Sequence, residues 1–119
     1  MTEKGVFYVF ARVSDLGRSK RFYGETLGWR LGTDEEHVAG FAFGSGYLVI
    51  HAEDRAPNDR RYAGGMHVEV QVEDVDAEHA RLTKLGVAVG ALQDQPWGER
   101  NFFFEDPDGY PWSYGQARR

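Results

Sequence analysis

Two stretches of the chain follow one plan, and this repetition constrains the fold more than any single motif. "ARVSDLGRSKRFYGETLGWRLGT" begins at Ala11 and "VQVEDVDAEHARLTKLGVAVGA" begins at Val70. Each reads as an alternating strand, an Asp, a helical stretch, a Leu-Gly pair and a further strand. Asp15 and Asp74 lie 59 positions apart, and the Leu27-Gly28 and Leu85-Gly86 pairs lie 58 apart. Marks that agree to one residue over half a chain indicate a duplicated module.

Within each module the boundaries have physical causes. Asp15 (or Ser14) and Asp74 are suited to cap the free N–H groups at a helix start. Asp76 and Glu78 come early and Arg81 and Lys84 late in the second helix, which matches the helix dipole. Gly28 and Gly86 fit the left-handed residue just past a helix end. Gly17 and Gly24 weaken the first helix, so packing has to hold it. The segments "GVFYVFARV", "FAFGSGYLVIHA", "MHVEVQV" and "NFFFEDPDGYPWSY" alternate as strands, the second around Gly-Ser-Gly and the last around Asp106-Pro107-Asp108-Gly109, which is type I turn chemistry. Each half is thus expected to be β-α-β-β-β, with the joint in the polar loop 53–65.

The 119 residues make one domain. There are no cysteines, which excludes disulfides, zinc ribbons and thiol nucleophiles. The net charge is −5 and no basic block is longer than the pair Arg60-Arg61, so no nucleic-acid partner is expected. The acidic balance favours neutral or cationic ligands. No segment approaches the ~20 apolar residues of a membrane span, so no membrane partner is expected and the cytoplasm is the expected location.

The segments "RVSDLGRSKRFYGETLGW" (12–29) and "PWGERNFFFEDPDGY" (96–110) resemble the vicinal oxygen chelate superfamily, which includes glyoxalase I, extradiol dioxygenases, and fosfomycin- and bleomycin-resistance proteins. The likeness covers essentially the whole chain. It implies an α+β fold of two βαβββ modules, 1–60 and 66–119, whose sheets curl into a half-open cup within a single domain, 1–119. It also implies a homodimer, as in the antibiotic-binding members.

Family enzymes hold a divalent metal through up to four side chains. The resemblance places those positions on Tyr8, Val49, His67 and Ser113, of which only His67 is a good ligand. A hard divalent ion needs several N or O donors to offset its lost hydration. No cofactor is therefore expected. The alternative is a rearranged site for Fe, Mn, Ni or Zn at His51, His67 and Glu69, because side chains two apart on a strand share a face. That site would make the protein a lyase, isomerase or dioxygenase.

Strand parity counted from these positions puts Tyr8, Phe10, Arg12, Tyr47, Val49 and His51 on the inner face of the first module. It puts His67, Glu69, Gln71 and Ser113 on that of the second. The opposite parity, with Phe7, Val9, Ala11, Val13, Val68, Val70, Val72 and Trp112, is the face the helices cover. Arg12 reads as a partner for Glu69 or for a ligand carboxylate. Trp97, in the loop "QPWGER", matches a Trp-Gly at the cleft mouth of antibiotic-binding relatives. Trp29, Trp112 and part of Phe102–Phe104 read as core. No Ser/His/Asp arrangement, phosphate loop or dinucleotide fingerprint is present. Tyr8, Phe10, Arg12, Tyr47, His51, His67, Glu69, Trp97 and Ser113 are the expected ligand-binding residues. The expected function is sequestration of an aromatic or cationic small molecule, such as an antibiotic.

Overall fold

The computed structural model describes residues 2–52 and 67–118. The expected joint at 53–65, and the module boundaries at 60 and 66, lie outside the described residues. The backbone divides into two compact units, Met1–Pro57 and Asn58–Arg119.

The first unit runs β1 (Val9–Val13), a helix, β2 (Arg30–Asp34), β3 (Val38–Phe43) and β4 (Gly46–Ala52). Its sheet has the order β1-β4-β3-β2, with β1 parallel to β4 and the other pairs antiparallel. The helix starts where the sequence places it, because the Asp15 carboxylate accepts the Arg18 N–H at 3.0 Å. Its first part, α1 (Leu16–Lys20), is regular, and Arg21–Thr26 is wound more loosely as a π-helix. The Leu27 N–H accordingly reaches back five residues to the Phe22 carbonyl, at 2.9 Å. Gly28 ends it with φ +77°. Gly24 faces the sheet so closely that a Cβ there would lie 3.2 Å from the Phe41 ring. Val13, Tyr23, Leu27, Phe41, Leu48 and Ile50 are buried between helix and sheet. Each contributes about 1.5–3 kcal/mol on leaving water.

The second unit repeats the plan: β5 (Val68–Gln71), α2 (Val75–Lys84), β6 (Gln93–Gln95), β7 (Glu99–Glu105) and β8 (Pro111–Ala117). The sheet order is β5-β8-β7-β6, with β5 parallel to β8. Asp74 caps α2 through the Ala77 N–H at 3.0 Å, and Gly86 ends it with φ +87°. Val75, Leu82, Phe102, Phe104, Trp112 and Tyr114 form the core, so the aromatic residues around the Asp-Pro-Asp-Gly turn are chiefly packing. In that turn the Gly109 N–H donates to the Asp106 carbonyl at 2.9 Å, and the buried Asp106 carboxylate accepts from the N–H groups of Asp108 and Tyr110.

Two expectations fail. Phe7 is not in the helix-covered core; it precedes β1 and is 89% exposed. The parallel register, continued back from Val9↔Leu48, would set it opposite Gly46, at a turn and without a side chain to pack against. The strand expected at "GVAVGA" is instead an irregular segment, and β6 comes later. Within it Gly90 donates to the Phe103 carbonyl at 2.7 Å, and its own carbonyl accepts from His79 at 2.9 Å. Among the described residues no helix is long and apolar enough to cross a membrane.

Candidate functional site

The face of each sheet turned away from its helix carries the chemistry. In the first unit, the register pairs Phe10↔Val49 and Arg12↔His51 set these four residues on that face, with Tyr47 beside them by strand alternation. The rings of Phe10 and His51 stack at 6.3 Å, and the Arg12 guanidinium lies 6.0 Å over the Phe10 ring, at the limit of a cation–π contact. Tyr8 falls just before β1, half-exposed, with its ring edge-on to Phe7 at 5.4 Å.

Tyr47 turns out to be built into the sheet. Its hydroxyl accepts the Thr33 N–H and hydrogen-bonds the Thr33 hydroxyl, both at 2.9 Å. Its ring lies flat across two neighbouring strands, which is possible only because they carry glycine there. A Cβ on Gly40 would come within 2.6 Å of the ring, and one on Gly32 within 2.6 Å of the hydroxyl.

The second unit's face is polar and connected. Glu69 is in register with Ser113, and Gln71 and Asn101 with Gly115. Glu69 Oε1 accepts from the Ser113 hydroxyl at 2.9 Å and from Asn101 Nδ2 at 3.1 Å. Asn101 Nδ2 also reaches Glu99 Oε1 at 3.2 Å, and its Oδ1 accepts from Gln95 at 3.0 Å. Glu99 Oε1 takes the Trp97 indole N–H at 3.3 Å. Asn101 and Ser113 are buried, so these bonds satisfy groups that would be costly to leave open. The Glu69 side chain lies over Gly115, where a Cβ would come within 2.9 Å of its carboxyl carbon. His67, edge-on to Phe103 at 4.9 Å, completes this face.

The two carboxyls differ electrostatically. Their mutual hydrogen bond, then burial, raise the Glu99 pKa; the Trp97 N–H opposes the rise, and the charge of Glu69 adds to it. Burial also works to raise the Glu69 pKa. Hydrogen bonds with Glu99, Asn101 and Ser113, and the nearby His67, outweigh it and hold that carboxyl below its ordinary value. On acidification Glu99 is therefore the first of the two to take a proton.

Phe10 and Arg12 thus stand beside His51, while Glu69 and Ser113 join one network that reaches Trp97. Trp97 itself sits on the β6–β7 turn, 70% exposed. Trp29 packs as expected, stacked on Phe43 at 4.4 Å. Glu99, Asn101 and Gln95 were not among the residues expected from the sequence. Alternation along "ERNFFFE" would have found the first two, because Glu99, Asn101 and Phe103 share the face opposite the buried Phe102 and Phe104.

The residues at the four metal positions implied by the resemblance do not suit a divalent ion. Val49 has no donor atom, and the Ser113 hydroxyl is buried and donates to Glu69. Among the described residues, no group of three or more His, Cys, Asp or Glu side chains is arranged to hold a metal.

The profile of the Glyoxalase/Bleomycin resistance protein/Dioxygenase superfamily matches residues 5–114, and the chain belongs to that superfamily. Among solved structures it is similar to TnmS3, an antibiotic-binding protein from a Streptomyces species, at 31% identity with 98% of each chain covered and a TM-score of 0.81. It is also similar to the metallothiol transferase FosB of Lysinibacillus sphaericus, 26% identical over 96% of this chain and 83% of that protein. The uncharacterised Mycobacterium bovis protein Mb0911c is 43% identical over 44% of this chain and 35% of its own length. The matched stretch therefore spans about a third of the first curated relatives.

Proposed function

We propose that the protein binds and sequesters a small aromatic, cationic natural product such as an antibiotic, without a metal, as a cytoplasmic homodimer. The observation that carries this reading is the second unit's open face. A carboxylate network headed by Glu69 lies there beside the exposed rings of Trp97 and Phe103, where a metal-using relative would need ligands. Rigid aromatic faces bind flat ligands with little loss of conformational entropy, and a partly buried carboxylate favours a protonated nitrogen. The likeness to an antibiotic-binding protein supports the same reading. The homodimer is supported by the apolar Val6 and Phe7, 83% and 89% exposed ahead of β1.

The test is a titration of the untagged protein with bleomycin and a panel of planar cationic antibiotics, in chelator, following tryptophan fluorescence and Tm. A ligand at a hundredfold excess over Kd stabilises the fold by about 2.7 kcal/mol. Quenching together with a raised Tm is expected, and neither moving for any compound contradicts the proposal. The second reading is a metal-dependent lyase, isomerase or dioxygenase, favoured by His67 beside Glu69 and the likeness to FosB. It requires stoichiometric metal that is lost in His67→Ala.

A further inference from the structure

The turn that carries Trp97 is fixed along its backbone at both ends. The Gly98 N–H donates to the Gln95 carbonyl at 3.1 Å, closing a four-residue turn with Pro96 at its second position. Gly98 then takes φ +88°, the left-handed conformation that suits glycine, and its carbonyl accepts the Arg118 N–H at 2.6 Å. What the backbone leaves undetermined is the indole, 70% exposed at the tip of the turn. An aromatic ring on such a turn samples several rotamers unless something holds its edge.

The Glu99 carboxyl is placed to do this. Its Oε1 takes the indole N–H at 3.3 Å and is held in turn by Asn101 Nδ2 at 3.2 Å, which also donates to Glu69 at 3.1 Å. Glu69 is anchored to the fully buried Ser113 at 2.9 Å and lies over Gly115. A continuous chain of hydrogen bonds thus runs from the exposed ring through two carboxyls into the sheet. We propose that Glu99 is a positioning residue that holds the Trp97 indole in one orientation, so that the site offers its ligand a preset ring face. The indole's one polar hydrogen is already engaged, so the ring selects a ligand by stacking and not by donating to it. Fixing the ring beforehand lowers the ordering cost of binding. This consequence for the ligand rests on the proposed binding function; the positioning itself does not.

The experiment uses ligand-free, nitrogen-labelled full-length protein. Its 3 tryptophans give three indole N–H resonances, and Trp97→Phe identifies the one from Trp97. In the unmodified protein the Trp97 order parameter is expected in the rigid range, about 0.85, falling below about 0.6 in Glu99→Ala. Trp29 and Trp112 should not change. Glu99→Gln should restore rigidity, because its amide oxygen can accept from Trp97 and Asn101 as the Glu99 Oε1 does. A mobile Trp97 in the unmodified protein, a rigid one in Glu99→Ala, or a Gln variant as loose as the Ala variant overturns the proposal. If Glu99→Ala fails to fold, Glu99→Asp, one methylene too short to reach the indole, carries the same prediction and the same refutation. No ligand is present, so failure of the antibiotic-binding reading leaves this result intact.

Discussion

The two halves of this protein share a frame and differ in what they mount on it. Both start their helix with an Asp that accepts an N–H three residues on, at 3.0 Å, and both end it with a left-handed glycine. Both order their strands the same way and bury the face beneath the helix. On the open faces they part. Each uses glycine on an adjacent strand to let a side chain lie flat, but the first lays down Tyr47 and the second lays down Glu69. Tyr47 closes on Thr33, while Glu69 opens into a network that reaches the surface at Trp97. The elements that make the fold recur in both halves, because caps, turns and core answer backbone needs common to both. The open faces carry no such common need.

The largest test concerns the shared frame. Phe41 on β3 and Phe104 on β7 hold corresponding positions by strand register and are both almost fully buried. Phe41→Ala and Phe104→Ala should each cost about 3–5 kcal/mol in chemical denaturation. A large disparity would show that the two cores are not equivalent.

The next test concerns the glycine seats. Gly40→Ala drives a Cβ into a rigid ring and should cost about 1–3 kcal/mol, with loss of the Thr33 bonds. Gly115→Ala meets only the end of a flexible, mostly exposed Glu69 and should cost about 1 kcal/mol or less. The reverse order would mean that Glu69 is held as firmly as Tyr47.

The smallest effect separates surface charge from the site. The Asp76 carboxyl is hydrogen-bonded by Arg100 and also pairs with Arg118, which together hold its pKa below the ordinary 3.8. A depressed folded pKa contributes stability that is present above the ordinary value and is lost as pH falls through the folded one. The stability gap between the parent and Asp76→Asn should therefore persist at neutral pH and close on acidification below 3.8. Because the groups are exposed, the gap will be small and reduced by salt.

Most of the frame was legible in the sequence because its signals are local. Asp15, Gly28, Asp74, Gly86 and the Asp-Pro-Asp-Gly turn each answer a backbone requirement within a few residues of themselves. The misplaced strand at "GVAVGA" shows the limit: alternating apolar residues look the same whether or not a partner strand exists beside them. The site was legible only in part. Parity put Phe10, Arg12 and His51 on one face, and Glu69 with Ser113, but the network depends on Asn101, which is brought to Glu69 by strand pairing across 32 positions. No spacing rule encodes that approach, nor the fact that Tyr47 finds its partner in Thr33.

The most direct test of metal-free ligand binding by this protein is metal content by mass spectrometry. Untagged protein would be stripped with chelator and then offered Mn, Fe, Co, Ni and Zn in turn. No metal is expected to be retained at a stoichiometric level. Close to one ion per chain, lost in His67→Ala, would contradict it and make His51 and Glu69 the next residues to mutate.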